Sequence, residues 1–406
     1  MATIFPFKAL RPRSDLVEQV AAVPYDVVNR AEARALAEGN PHTFLHVTKP
    51  EIDLADDVGL YDDAVYAQGA SALKKMIEDG VMVQDQTDSL YAYALTMNGR
   101  TQTGFVLCAC TDEYDQNIVR KHEFTRPDKE DDRVRNIEAL GAQSGTVFLV
   151  HRQSEMLAAA MTKATTGTPA VDFEAVDGIR HQLWVIGDQD DIQQIVKGFD
   201  DLGPIYIADG HHRSAAASRV AKANRDANND NPESQRFLAV SFPENEMLIM
   251  DYNRVVKDLG SYTPESFLTK VSEIFDVTPG RLDASKKHHF EMYLGDTWYT
   301  LAAKAGTWSP EDPVERLDVS ILQTQLLNPV LGIEDPRRDK RIDFVGGIRG
   351  SKELEKRVSE GWAVAFKLCA TSIEELLAIA DAGEVMPPKS TWFEPKLRDG
   401  LAVHLI

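Results

Sequence analysis

From Leu90 to Cys110 apolar and polar side chains alternate on both sides of Asn98-Gly99, a strong short-range hairpin signal, so two paired strands are predicted there. Upstream the period lengthens. Ala64, Ala67, Leu73, Met76 and Ile77 recur at helical spacing from about Tyr61 to Asp79, and Gly80 ends the pattern. Asn29 with Glu32 predicts a capped helix that closes near Gly39. Between these helices Asn40–Glu51 is bounded by prolines and is expected to be non-helical.

Downstream, the polar loop Arg120–Lys129 precedes a charged helix to about Leu140 and a strand at Val147–Val150. A hairpin region at Ala170–Gly187 and a helix at about Asp190–Phe199 follow. The apolar run Ile205–Ala208 then breaks at Asp209-Gly210 before an alanine-rich helix. Residues 222–236 form a polar, low-complexity stretch, expected to be a loop because apolar Phe237–Phe242 resumes at once. The remainder predicts a helix at Pro264–Phe275, a hairpin at Gly295-Asp296 and a helix at Val314–Leu327. After these come a strand at Ile342–Val345, a turn with Gly346, Gly347 and Gly350, and a helix at Glu353–Glu360. A strand at Ala363–Leu368, a helix at Ile373–Ala380 and a last strand at Leu401–Ile406 complete the reading. The pattern is mixed α/β (α+β) without a repeat of solenoid length, and divides into segments 1–88, 89–260 and 261–406.

At 406 residues the chain exceeds one simple core. Its 64 acidic against 44 basic residues give a formal charge of −20, which argues against nucleic acid as a partner but leaves room for a local basic pocket. Three cysteines exclude a disulfide framework and fit a reducing compartment; Cys108 and Cys110 read as small buried strand residues. No apolar run is long enough to span a bilayer, and Met1–Lys8 lacks a signal-peptide layout, so a cytoplasmic location without membrane partners is expected.

Chemistry concentrates at Asp209-Gly-His-His-Arg213. The first N–H groups of a helix have no intrahelical acceptors, and its dipole favours anions, so strand, glycine turn and helix start make an anion site. His211, His212 and Arg213 add donors and a fixed cation, Gly210 the backbone freedom, and Asp209 a helix cap. Glu123 beside His122 is a candidate general base. Lys389, Ser390 and Thr391 would suit a phosphate or a carboxylate. His42 and His46, four apart, lie in an extended, proline-bounded stretch that disfavours a metal; Gly346-Gly347-Ile-Arg-Gly350 lacks the endings of known phosphate loops.

Val23-Pro-Tyr-Asp-Val-Val28, Asn40-Pro41, Phe44–Glu51, His122-Glu123-x-Thr125, Asp209–Arg213 and Met386-Pro-Pro-Lys-Ser-Thr391, in this order, resemble the DUF1015 family. The resemblance implies a ParB/sulfiredoxin-like core at 89–260 with additional N-terminal and C-terminal α/β units, and kinship with free serine kinases. It further implies that Glu123, with His122, acts as the base on a serine hydroxyl. Asp209, Gly210, His211, His212 and Arg213 would grip nucleotide phosphates, with Mg2+ on Asp209, and Lys389, Ser390 and Thr391 would hold substrate. The chain departs from those kinases in its greater length, in the insertion between Glu123 and Asp209, and in Trp392-Phe393 after the late loop.

The expected activity is phosphoryl transfer from ATP or ADP to free L-serine or a similar hydroxy amino acid. A phosphohydrolase, for example of O-phosphoserine with Asp209, His211 and His122 as metal ligands, and a nucleotide-binding regulatory protein are the alternatives.

Overall fold

The computed structural model describes residues 1–229, 231–281 and 286–406. It is a mixed α/β protein of two compact units: Met1–Met247 with Pro395–Ile406, and Leu248–Glu394. The boundaries differ from those drawn at 88 and 260. Strand Leu10–Pro12 pairs with Met82–Gln84, and the last twelve residues return to the first unit.

The first unit is built on a nine-stranded sheet: β1 (Ile4–Phe5), β2 (Leu90–Met97), β3 (Arg100–Cys110), β4 (Val119–Arg120), β5 (Val147–His151), β6 (Val171–Glu174), β7 (Arg180–Ile186), β8 (Ile205–Asp209) and β9 (Arg236–Pro243). Their order is β4-β8-β5-β9-β3-β2-β7-β6, with β1 on β3. The β2–β3 hairpin turns through Asn98 and Gly99, both at positive φ, as a two-residue primed turn requires. Alternate residues Ala92, Ala94, Phe105, Leu107, Trp184 and Ile207 face one side, where they pack with Ile192, Ile195, Phe199, Ala216 and Val220. A second cluster joins Leu10, Val20, Phe44, Leu73 and Met76 to Val403 near the C-terminus.

Helix α1 (Pro127–Leu140) starts on a proline, whose missing N–H costs nothing at that position, and ends at Gly141 in the left-handed region. Helix α2 (His211–Asp226) follows β8 through Gly210 alone. Asn29 and Glu32 form the expected capping box.

The second unit carries a six-stranded sheet of β10 (Tyr252–Val256), β11 (Phe275–Pro279), β12 (His289–Leu294), β13 (Thr297–Ala303), β14 (Ile342–Gly346) and β15 (Val364–Lys367). The order is β11-β13-β12-β15-β10-β14, antiparallel throughout. Val255, Val345, Leu354 and Ala365 form its compact apolar cluster.

Four local expectations are corrected. Leu45–Thr48 is a helical turn and Pro50–Asp53 a 3-10 turn, because Phe44, Leu45, Val47 and Ile52 must all reach the N-terminal cluster. Helix α2 runs on to Asp226 through the polar stretch, and Arg225 pairs with Asp112 at 2.9 Å. The helix expected at 314–327 is α-helical only over Asp318–Leu322 and continues as a π-helix over Gln323–Leu327. The last strand shrinks to His404–Leu405, where it meets Ala142–Gln143. Among the described residues no helix is long and apolar enough to cross a membrane.

Candidate functional site

The Asp209–Arg213 turn sits where β8 hands the chain to α2. Gly210 has φ +100°, a left-handed value that side chains rarely adopt. A Cβ there would lie 3.1 Å from Arg213 Nε, and one at Gly145 would lie 3.1 Å from Arg213 Cδ, so two glycines clear the space that Arg213 fills.

Arg213 folds back under the turn, and its Nη1 donates to the Thr146 carbonyl. Its Nη2 lies 3.6 Å from Asp209 Oδ1 and 3.8 Å from Asp26 Oδ2. Burial opposes the charge, but Asp209 and Asp26 more than offset it and raise the guanidinium pKa further. Asp209 does not cap the helix as expected; α2 has no side-chain cap. Its Oδ2 instead accepts from Lys396 Nζ at 3.3 Å. Burial alone would raise this carboxyl, yet Lys396 and Arg213 hold it well below the usual carboxylate range.

His211 is buried, and its Nε2 accepts from the His122 backbone N–H at 3.5 Å. In the neutral ring that places the proton on Nδ1, which faces Glu123 Oε2 at 3.8 Å. Burial, then the neighbouring His122, push the His211 pKa well down and keep the ring neutral. His122 meets it edge to face with centroids 4.5 Å apart. Burial carries His122 down to about 4, against a hydrogen bond to the Ile207 carbonyl. Its Nδ1 has no partner among the described residues. His212 serves the loop rather than the turn: its Nε2 accepts from the Arg126 backbone N–H at 3.1 Å. The Glu123 side chain remains 41% exposed at the rim.

The structure thus gathers Glu123, His122, Asp209, Gly210, His211, His212 and Arg213 around one helix start. Lys389, Ser390 and Thr391 belong to the second unit.

Several participants escaped the sequence reading. Arg133 lies over the Tyr25 ring at 4.1 Å, and with Arg213 and Ser144 these two line a cavity of about 20 Å³, room for a single water and no more. Tyr25 and Asp26 belong to the Val23–Val28 motif, which had no role attached to it. Lys396 and Asp399 come from the C-terminal segment, which Leu10–Val403 and Ala22–Asp399 backbone bonds stitch to the start of the chain. Asp399 is buried, accepts from the Tyr25 N–H, and leaves Oδ2 unpartnered among the described residues. Burial, partly countered by Arg213 and reinforced by Asp26, raises it to about 7. The local signal was a run of charges, Lys396, Arg398 and Asp399, inside an otherwise apolar terminus, but their partners are far away in sequence.

Mg2+ on Asp209 does not fit this geometry, because the carboxylate is already neutralised by Lys396 and Arg213. Among the described residues no three His, Cys, Asp or Glu side chains are grouped to hold a metal, so the expected Asp209–His211–His122 ligand set is not assembled.

Several solved structures share features of this chain. A conserved hypothetical protein from Pyrococcus furiosus is 14% identical, with TM-score 0.36 over 74% of this chain and 95% of that one. A free serine kinase in complex with AMP is 12% identical, with TM-score 0.35 over 71% and 86%. SbnI with C-terminal truncation from Staphylococcus aureus is 12% identical, with TM-score 0.39 over 74% and 87%. At such identities and scores they carry no argument about activity. No curated protein matches the sequence. The model of one family, described as protein of unknown function (DUF1015), matches residues 4–320, well over half of the sequence, and the chain belongs to that family.

Proposed function

We propose that the first unit is a phosphotransferase that moves a phosphoryl group from ATP or ADP to the hydroxyl of free L-serine or a similar hydroxy amino acid. The observation that carries this reading is the placement of the Glu123 carboxylate 3.8 Å from His211 at the start of α2, beside a turn lined by Arg213 and Lys396. Phosphoryl transfer asks a protein mainly for positioning and charge neutralisation, with one group to receive the hydroxyl proton. The N–H groups of the first turn of α2 supply the former, with Lys396, a fifth exposed beside Asp209, as the cation at the turn. Glu123 supplies the latter: as the acceptor oxygen bonds to phosphorus, its proton passes to the carboxylate and the nucleotide departs with the electrons of the broken P–O bond. His211, neutral and protonated at Nδ1, steers the Glu123 carboxylate without cancelling its basicity.

The ParB/sulfiredoxin-like core belongs to the same proposal. A phosphohydrolase built on Asp209, His211 and His122 gains no support, since Asp209 is bound to two cations and His122 is turned into the protein.

The test is O-phosphoserine formation from serine with ATP or ADP, compared between the wild type and Glu123→Gln. Loss of product in the variant, with nucleotide binding retained, is expected. Absence of any phosphorylated product across a panel of hydroxy compounds with both nucleotides overturns the reading.

A further inference from the structure

His211 and His212 open α2, and successive side chains on a helix point about 100° apart, so the two imidazoles leave the first turn in different directions. Both end on the loop that carries Glu123. His211 Nε2 accepts from the His122 N–H at a long 3.5 Å, and His212 Nε2 accepts from the Arg126 N–H at 3.1 Å. Residues 122 and 126 are the two ends of a span whose middle is Glu123, Phe124 and Thr125. Burial of His122 anchors the upstream end, but Phe124 is 68% exposed and Arg126 is exposed as well, so apolar packing does not hold the downstream half. Hydrogen bonds hold it instead. Thr125 Oγ1 donates to the Glu130 carboxylate, and the Arg126 carbonyl accepts from the Lys129 and Glu130 N–H groups at 3.0 Å, which ties this half to α1. The His212 bond ties it to α2.

An imidazole nitrogen accepts a hydrogen bond only while it carries no proton. A proton on His212 Nε2 would meet the Arg126 N–H donor to donor, and the contact would open. The charges that face His212 are Glu130 and Lys129 of α1, Arg126 of the loop and Arg213 of its own helix. Burial lowers its pKa first; Glu130 opposes this and the three cations add to it, so the neutral ring that the bond requires is favoured. His211 is faced by His122 and Glu123 of the loop and by Asp209, His212 and Arg213. It is buried and held well below its ordinary pKa, whereas His212 is half-buried, so acid reaches His212 first.

We propose that His212 is a positioning residue: its neutral ring pins Arg126, and with His211 it clamps the loop at both ends so that the Glu123 carboxylate faces the α2 turn. The role rests on the reading of Glu123 as the base, and it assigns the His212 ring to the protein's own backbone rather than to a nucleotide phosphate. A base held in place meets the substrate hydroxyl without a search through loop conformations, so the clamp acts on kcat. Because the folded ring has the lower pKa, protonation favours the released loop, and the clamp opens as pH falls below about 6.5.

The test is hydrogen exchange of the peptide spanning residues 121–129 in the full chain, corrected for the intrinsic rate at each pH. At about pH 7 the wild type protects the Arg126 amide about fivefold more than His212→Leu does, the worth of one ordinary hydrogen bond, and the excess shrinks toward about pH 5. His212→Gln carries an amide oxygen at the position of Nε2 that does not titrate, so its protection persists across the range. Wild-type exchange in His212→Leu, or the same pH dependence in the wild type and His212→Gln, overturns the proposal. Should His212→Leu not fold, the comparison of the wild type with His212→Gln decides alone. The second readout is O-phosphoserine formation: kcat falls by a similar factor in His212→Leu and is restored in His212→Gln, with the KM for nucleotide unchanged. A raised KM in both variants overturns the positioning role in favour of a phosphate contact. The exchange result holds whether or not the chain phosphorylates serine, so failure of the clamp and failure of the phosphotransfer reading are told apart.

Discussion

Arg213 and Arg254 are both buried guanidiniums that donate to backbone carbonyls, yet their electrostatic surroundings are opposite. Arg213 has Asp209 and Asp26 within 4 Å and the buried Asp399 nearby. Arg254 has carbonyls and the face of Phe344. Removing one partner of a compensated buried pair leaves charges stranded, whereas removing an uncompensated charge relieves the fold. The first arginine is therefore part of the frame that shapes the turn, whereas the second is held by carbonyl dipoles and an aromatic face.

The largest expected effect separates chemistry from charge. Glu123→Gln lowers phosphotransfer by about 10²–10⁴-fold in an O-phosphoserine assay, the range for loss of a general base, without changing the stability of either arginine's surroundings. Next, Arg213→Met costs about 3–5 kcal/mol in urea unfolding because Asp209, Asp26 and Asp399 lose their shared cation. Arg254→Met is neutral or stabilising by the same measurement. Equal losses in the two variants would erase the contrast between the sites.

Asp399→Asn sharpens it further. A buried acid raised to about 7 binds its proton more tightly folded than unfolded, so it favours the fold at low pH. That stability drains away as pH rises from the unfolded value of about 4 to about 7. His122, pushed down to about 4, has the opposite slope and weakens the fold as pH falls from about 6.5. Since His122 is common to both proteins, the difference between the unfolding curves of the wild type and the Asp399→Asn variant across this range isolates Asp399. A pH-independent difference contradicts the assignment. A smaller loss than that of Arg213→Met is expected for Gly210→Ala, about 1–3 kcal/mol, from a side chain forced to φ +100° against Arg213; an unchanged urea midpoint would show that the turn relaxes freely.

Much of the fold was legible in local chemistry. Asn98-Gly99 set a hairpin, Asn29 and Glu32 closed a capping box, and the break at Asp209-Gly210 marked the passage from β8 to α2. Where the reading failed, packing overrode local preference. Phe44, Leu45 and Val47 wind into a helical turn despite the flanking prolines because burial of three large apolar side chains outweighs a short irregular segment's preference. In the site, Glu123, His122 and the Asp209–Arg213 turn were legible because residues of scarce chemistry stand together in sequence. Asp209 as a helix cap was a local inference, and it lost to a cation 187 residues away.

The sequence by itself determined the mixed α/β character, the strand–glycine–helix turn and its imidazoles and guanidinium, since these depend on neighbours a few residues apart. Only the tertiary structure decided which charges are compensated. Lys396 reaches Asp209, Asp26 reaches Arg213, and among the described residues nothing acidic reaches Arg254. Coulomb energies in a poorly solvated interior depend on separation in space and on burial, neither of which a linear chain displays.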